Sequence, residues 1–318
     1  MTDPIGTSLP GITNIPIGDD PSENRYSSSK LAQARAKITR MQTASHPHQP
    51  IGVYDSGVGG LSVLRAIRTA LPHEDLLYLG DQANVPYGER SLEELRELAR
   101  GVTRFMLAQG AELIVIACNT ASAAALKTLR QEYPEVPFVG MEPAVKPAAE
   151  QTHSGKVGVL ATPSTFQGEL YASVVERFAS GVEIYQETCP GLVSQIEKGW
   201  LETPKTRQIL EAALLPLMAR GVDTLVMGCT HFPFVIPLIE QITEGNARVI
   251  DPAPAVARQT QRVLDEHGLL NPQPAAGTTH YYTTGDPAKF ARVLSRLIGV
   301  HAPIQALRWQ GKDLTPIE

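Results

Sequence analysis

The chain has 318 residues, of which 42% are hydrophobic and 19% charged, and its net charge at pH 7 is −5. This length allows two domains of ordinary size, each with a buried core. The mildly acidic charge argues against a nucleic-acid substrate, because the chain has no excess of basic residues to cover one of its faces. The sequence also lacks a run of about 18 apolar residues, which a membrane-spanning helix would need.

Residues 1–49 are rich in Pro, Gly, Ser, Asp and Asn, which predicts a disordered leader. Within it, apolar residues recur at helical spacing beside basic ones, at Leu31, Ala34, Ile38 and Met41. This pattern fits either a short basic helix that meets a regulatory ligand or partner, or a transient solvated helix. The leader has no secretory signal pattern.

Strands and helices then alternate, beginning with a strand at Ile51, a glycine-rich turn and an amphipathic helix. The pattern predicts strands at 51–55, 75–80, 113–116, 136–142, 156–165, 182–186, 224–227, 248–252 and 280–286. It predicts helices at 61–71, from a Ser91 cap to 109, at 121–132, 166–179, 204–219, 255–266 and 287–298. Residues 81–88 and 188–199 are expected to be loops.

Such alternation predicts an α/β fold with mainly parallel sheets. We expect two doubly wound α/β domains related by pseudo-twofold symmetry, with the active site in the crevice between them. Residues 50–146 and 254–305 would form the first domain and 147–253 the second. Residues 306–318 are expected to be a tail.

An internal repeat supports this division, because residues 107–120 align with 218–231 without a gap. Each copy predicts a helix end, a glycine stop, a buried strand and a cysteine where the strand gives way to a turn. The matched pairs are Gly110 with Gly221, Glu112 with Asp223, and Cys118 with Cys229. Ligands of open α/β sheets bind at the carboxyl ends of the strands, so the two thiols could face one small molecule from opposite sides.

The repeat makes Cys118 and Cys229 the leading catalytic candidates, as the acid and base of an inversion. The alternative is that each is a small buried residue at a strand end. A disulfide is conceivable, but it would leave the adjoining polar side chains without a purpose. No C-x₂-C spacing favours zinc. Three cysteines form no even framework, which favours a reducing, cytoplasmic setting.

Polar residues near the cysteines provide further candidates. Asp55 and Ser56 end the first strand, where Asp55 could handle a proton or an ammonium group, or simply cap the next helix. The glycines after them match neither phosphate-binding pattern. His231 could keep Cys229 available as a thiolate, or be structural. Tyr87-Gly88 could hold a carboxylate or only form a turn, and Glu197 could be a solvated helix charge.

These residues resemble the bacterial glutamate racemases of the cofactor-independent aspartate/glutamate racemase superfamily, over roughly residues 50–300. The motifs that carry the resemblance are IGVYDSGVGGLSVL, DQANVPYG, VIACNTASA, GMEPAVKPA, ATPSTFQGELY, CPGLVSQIEKG and MGCTHFPF. The resemblance implies acid/base roles for Cys118 and Cys229, with Asp55, Glu197 and His231 as auxiliary groups. It implies a substrate site lined by Asp55, Ser56, Tyr87, Gly88, Asn119, Thr120, Thr230 and His231.

It also implies a reaction without pyridoxal phosphate or metal, glutamate as substrate, D-glutamate supplied for peptidoglycan, and a homodimer. His231 favours the glutamate branch, because aspartate racemases typically carry Glu at this position. The leader departs from the family pattern, although some members have extensions linked to activation by a cell-wall precursor. Two rivals stay open, a racemase for aspartate or another amino acid and a binding protein that has kept the fold without the reaction.

Overall fold

The computed structural model describes residues 49–317, with only the backbone of residues 169 and 170. The first sheet has seven strands in the order β11-β10-β9-β2-β1-β3-β4. Its strands are β1 (Ile51–Asp55), β2 (Leu76–Gly80), β3 (Leu113–Ile116), β4 (Phe138–Gly140), β9 (Thr279–Thr283), β10 (Ile304–Gln310) and β11 (Asp313–Pro316). All neighbouring pairs are parallel except β10–β11, which is antiparallel.

The second sheet has four parallel strands in the order β6-β5-β7-β8. These strands are β5 (Lys156–Leu160), β6 (Glu183–Glu187), β7 (Thr224–Met227) and β8 (Arg248–Ile250). The order repeats that of β2-β1-β3-β4, with β5 in the place of β1 and β7 in the place of β3. The two copies of the sequence repeat therefore lie at equivalent positions, each beside the first strand of its sheet.

The helices cover the sheets. In chain order they are α1 (Leu61–Ala70), α2 (Leu92–Ala108), α3 (Asn119–Glu132), α4 (Val145–Gln151), α5 (Pro163–Gln167), α6 (Glu169–Phe178), α7 (Leu192–Ile196), α8 (Pro204–Ala219), α9 (Ile236–Ile242), α10 (Ala253–His267) and α11 (Pro287–Ile298). Short 3₁₀ helices span Tyr87–Glu89 and Phe232–Val235. None of the helices within residues 49–317 is both long and apolar enough to span a membrane.

Alternate residues of the central strands enter different cores, which is why both faces of each sheet need helices. Val53 of β1 belongs to the core that contains apolar side chains of α1, α10 and α11. Tyr54, its neighbour, belongs to the core formed with α2 and α3. The second sheet divides in the same way between α8 and α9 on one face and α4 and α6 on the other. This arrangement confirms the doubly wound α/β class.

Local sequence signals explain several helix starts. Ser91 and Glu94 form the capping box of α2, in which the Ser91 hydroxyl accepts from the Glu94 N–H and the Glu94 carboxylate accepts from the Ser91 N–H. Asp286 accepts from two backbone N–H groups at the start of α11, whose first residue is proline. The Ser91 cap and the proline start were both predicted.

Helices α4 and α9 were not predicted, and three predicted segments also differ. Residues 188–199 are not a plain loop, because they contain helix α7. The predicted helix 166–179 is two helices, α5 and α6, which meet at an extended Gly168. Residues 306–318 are not a plain tail, because strands β10 and β11 extend the first sheet. The domain boundaries stay a prediction. Residues 1–48 of the predicted leader, which include its predicted basic helix, lie outside the described residues.

Candidate active site

The segments that follow β1, β2, β3 and β7 bring most of the predicted residues to one small cavity, although Asp55 and Glu197 do not line it. Cys118 and Cys229 are both free thiols and both buried, at 5% and 6% exposure. They line a cavity of about 20 Å³, which has room for little more than one water molecule. Nine of the predicted residues line it, namely Ser56, Tyr87, Gly88, Cys118, Asn119, Thr120, Cys229, Thr230 and His231. We call it the thiol cavity.

Cys229 is the first member of a hydrogen-bonded chain of three side chains. Its Sγ lies 3.7 Å from Nδ1 of His231. On the other side of the imidazole ring, Nε2 lies 2.6 Å from Oε1 of Glu197. Both partners are shielded, since the His231 side chain is 3% exposed and that of Glu197 11%. Glu197 is therefore not the solvated helix charge considered above.

The hydrogen-bonded side chains shift one another's pKa values. Burial lowers the pKa of His231, but the contacts with the Cys229 sulfur and the Glu197 carboxylate outweigh it and raise that pKa well above its ordinary value. Burial raises the pKa of Glu197, but hydrogen bonds from His231, the Val58 N–H and the Gln82 amide leave it lowered. The imidazolium form of His231 is therefore stabilised from both sides, by the Cys229 sulfur and by the Glu197 carboxylate.

Cys118 has a different environment. It precedes α3, and its Sγ accepts a hydrogen bond from the Ala121 N–H at 3.5 Å. Burial and the nearby Asp55 carboxylate nevertheless raise the pKa of the Cys118 thiol strongly. Desolvation likewise raises the pKa of Asp55. These surroundings favour the protonated thiol at Cys118, so the two sulfurs are electrostatically unequal.

Asp55 connects the two halves of the molecule, the first of which contains the seven-stranded sheet and the second the four-stranded sheet. Its Oδ1 accepts from the Thr230 hydroxyl at 3.1 Å, and its Oδ2 accepts from the Gly57 N–H at 3.0 Å. The alternative helix-capping role is not observed, because Gly60 precedes α1 and no side chain caps that helix.

Asn119 lines the thiol cavity with a side-chain amide that makes no hydrogen bond. Its side chain is buried, and neither its amide oxygen nor its amide nitrogen has a hydrogen-bond partner. A buried, unpaired amide is costly, and a ligand that supplied an acceptor and a donor would remove that cost. The Thr120 hydroxyl lies beside it, 2.8 Å from the Thr162 hydroxyl of the second half.

The glycine-rich turn after β1 is shaped by residues of the second half. A Cβ at Gly57 would overlap the Glu197 carboxylate, and one at Gly59 would overlap the His231 ring. The Val58 N–H also donates to Glu197 Oε1 at 2.8 Å. The glycines therefore admit the Glu197–His231 pair, a role different from phosphate binding.

A second cavity of about 300 Å³ adjoins the first and shares Pro86, Gly88, Thr162 and Val193 with it. We call it the outer cavity. Cys189 lines it and lies outside the thiol cavity, while Glu197 forms part of its wall.

Sequence reasoning missed two polar residues of the site, besides Pro86 and Val193 in the wall of the thiol cavity. Gln82 donates to Glu197 Oε2 at 2.8 Å, and Thr162 contributes its hydroxyl to the thiol cavity. Gln82 was only part of a loop motif, and no local pattern relates it to Glu197. For Thr162 a signal existed, since it follows β5, which takes the place of β1 in the repeated strand order.

Comparison with known proteins agrees with this fold. The sequence model of the Asp/Glu/Hydantoin racemase family matches residues 51–260. A glutamate racemase from Ectopseudomonas mendocina is 52% identical over 255 residues, which cover 80% of this chain and 97% of that protein.

Two solved structures are also similar. A glutamate racemase isoform from Bacillus anthracis has a TM-score of 0.76 and 32% identity, covering 84% of this chain and all of that one. The Escherichia coli glutamate racemase, in complex with L-glutamate and the activator UDP-MurNAc-Ala, has a TM-score of 0.72 and 30% identity over 83% of this chain and all of that one.

The fold together with these similarities thus defines an α/β isomerase of the racemase class. The chain belongs to the Asp/Glu/Hydantoin racemase family, within its group of glutamate racemases.

Proposed function

We propose that this enzyme interconverts L- and D-glutamate by a two-base mechanism in which Cys118 and Cys229 act from opposite sides of the α-carbon. The observation that carries the proposal is that both thiols line one cavity together with Asn119, Thr230 and His231. The substrate is inferred from the similar proteins, which are glutamate racemases, one of them solved with L-glutamate.

The unequal surroundings of the sulfurs suggest their resting states. Cys229, beside the His231–Glu197 pair, is the thiolate that removes the α-proton. Cys118 is the thiol that delivers a proton to the other face. After one turnover the protonation states are exchanged, and the reverse reaction uses the same groups in opposite roles, so no net proton is consumed.

The energetic difficulty is the weak acidity of the α-carbon. A thiol has a pKa of about 8.5, and the α-proton is weaker by on the order of ten units, each worth about 1.36 kcal/mol. The site must therefore stabilise charge on the α-carboxylate as the proton leaves. The unpaired Asn119 amide and the N–H groups at the start of α3 support this role.

The closed cavity requires movement before glutamate can bind. About 20 Å³ cannot hold an amino acid, so the two halves must separate and close again over the substrate. The Ser164 hydroxyl donates to the Gly88 carbonyl at 2.6 Å and, with the Thr120–Thr162 pair, joins the halves beside the thiols.

The proposal is tested by racemisation and by α-proton exchange in deuterated water. Wild-type enzyme should convert each enantiomer and place deuterium at the α-carbon of the product. Cys118→Ser and Cys229→Ser should each lower racemisation at least about 100-fold, the scale of acid–base catalysis. Cys189→Ser, which alters the third buried thiol outside the thiol cavity, is the control and should keep wild-type activity.

Three outcomes would contradict the proposal. Full activity in either serine variant would remove the two-base mechanism. Binding of glutamate without any α-proton exchange would favour the binding-protein alternative. Faster racemisation of L-aspartate than of L-glutamate in a substrate panel would move the enzyme to the aspartate branch.

The wider setting belongs to the same proposal. We infer that D-glutamate is supplied for peptidoglycan and that the enzyme is a homodimer, which light scattering on the full chain would test. Regulation through the leader and a cytoplasmic location stay predictions. Comparing the full chain with one lacking residues 1–48, with and without UDP-MurNAc-Ala, would test the first of these.

A further inference from the structure

Loop 81–90 carries Tyr87 and Gly88 of the thiol cavity and begins where β2 ends. Its conformation depends on Asp81, whose carboxylate is fully buried. The Tyr87 hydroxyl donates to Asp81 Oδ2 at 2.7 Å, and the Asn84 amide donates to both carboxylate oxygens at 3.2 and 3.0 Å. Asp81 thereby folds the loop onto itself and fixes Tyr87 beside the thiol cavity.

The other donors to Asp81 come from the carboxyl-terminal part of the chain. The Trp309 indole N–H donates to Asp81 Oδ1 at 2.8 Å, and the Thr284 hydroxyl donates to the same oxygen at 2.7 Å. Both residues lie beyond position 260, where the family match ends. Trp309 belongs to β10, which is separated from β2 in the sheet by β9. Its contact with Asp81 is thus made by the side chain alone.

Trp309 is itself held in place. Its ring packs on the core beneath α2, where a Cβ at Gly101 would overlap it. The hairpin formed by β10 and β11 is fastened to α2 by two ion pairs, Lys312–Glu97 at 2.8 Å and Arg104–Asp313 at 2.7 Å. The indole N–H is therefore presented to Asp81 by a docked hairpin.

We propose that Trp309 is a positioning residue for the racemase reaction, which acts through Asp81 on Tyr87 and so sets the geometry of loop 81–90 at the thiol cavity. This inference rests on the proposed function. It gives the carboxyl-terminal hairpin a role in catalysis, although the hairpin touches neither thiol.

Trp309→Phe removes the N–H donor and keeps an aromatic ring, so it tests the hydrogen bond with little change in packing. We expect kcat/KM to fall about tenfold in both directions, as for the loss of one hydrogen bond to a buried carboxylate. The equal fall follows because enantiomers have equal free energies. Trp200→Phe is the matched control, since Trp200 is 45% exposed and lines neither cavity.

A double-mutant cycle distinguishes positioning from a general loss of stability. Tyr87→Phe removes the hydroxyl through which Asp81 holds the ring, so Trp309→Phe should cost less than about twofold in that background. Additive losses would overturn the proposal, because Trp309 would then act by another route. Equal rates for Trp309→Phe and Trp200→Phe would also overturn it. If the wild type does not racemise glutamate, the proposed function fails first and this inference fails with it.

Discussion

His231 lies between two groups that both favour its protonation, and in the proposed mechanism this arrangement assigns the base to Cys229. Cys229 lies on one side of the ring and Glu197 on the other, and neither contact is open to solvent. A protonated imidazole lowers the cost of a thiolate, while the carboxylate lowers the cost of the imidazolium. Removing the carboxylate charge should therefore be felt at a sulfur that it does not touch.

Glu197→Gln tests this coupling. The amide oxygen can still accept from His231, but its charge is gone, so the pKa of His231 should fall from its raised value. We expect kcat/KM at neutral pH to fall by at least about tenfold, and its high-pH limb to move to lower pH. Glu202→Gln, at an exposed position outside both cavities, is the control. An unchanged pH profile in Glu197→Gln would show that Glu197 does not act on Cys229 through His231.

The residue types at the strand ends could be predicted, but their partners could not. Cys118, Cys229 and His231 stood out because the repeat places them after buried strands. The contact between Glu197 and the Val58 N–H joins residues 139 apart in the chain, and it depends on how the two halves meet. Periodicity describes each strand and helix separately, so it carries no signal for such a contact.

Strands β3 and β7 occupy equivalent positions in the repeat, yet folding shifts the pKa values of the acidic residues before them in opposite directions. Glu112 precedes β3, and burial together with the nearby Glu74 raises its pKa to about 8. Asp223 precedes β7, and despite some burial its pKa is lowered by hydrogen bonds from Thr152 and the N–H groups of Ser154 and His153. The repeat has kept the position and changed its surroundings.

This difference predicts opposite effects on stability. A folded-state pKa of about 8 for Glu112 means that its carboxyl adds stability below its unfolded pKa of about 4.3 and loses it as the pH rises towards 8. Glu112→Gln should therefore flatten the decline of the free energy of unfolding over this range, with a gain of about 1 kcal/mol or less above pH 8 because solvent screens a partly exposed group.

Asp223→Asn is the matched variant at the equivalent position. Its pKa is depressed by folding, so its contribution is present above its unfolded pKa and is lost only as the pH falls through the lower folded value. The variant should lower the free energy of unfolding by about 1 kcal/mol at pH 7, through the loss of a charged acceptor. Urea unfolding at pH 5, 7 and 9 measures both effects. If the free energy of unfolding of Glu112→Gln depended on pH as that of the wild type does, folding would not raise the pKa of this carboxyl.

At the scale of the whole molecule, the two halves close over a cavity too small for the substrate. The hydrogen bond from Ser164 to the Gly88 carbonyl joins them at 2.6 Å, beside the wall shared by the thiol and outer cavities. The alternation of strands and helices predicted the two sheets. It did not predict the hairpin of β10 and β11, which lies beyond the helix where the regular alternation ends.

Ser164→Ala should weaken the closed state without touching either thiol. Because glutamate reacts only after closure, we expect KM to rise about fivefold for both enantiomers, as for the loss of one hydrogen bond. Ser295→Ala, on α11, removes an exposed hydrogen bond to His301 and serves as the control. Steady-state kinetics with both enantiomers measure the effect, and identical KM values in the two variants would show that closure does not depend on this contact.

The glycine turn at 57–60 has a consequence for engineering and for divergence among relatives. Since Glu197 and His231 occupy the space that side chains at Gly57 and Gly59 would need, an exchanged half must fit the half that is kept. A hybrid enzyme that takes its second half from a distant homologue would work only if the incoming groups fit this turn. Larger residues at 57 or 59 should be accepted only together with smaller ones at 197 or 231, so these positions are expected to change as pairs.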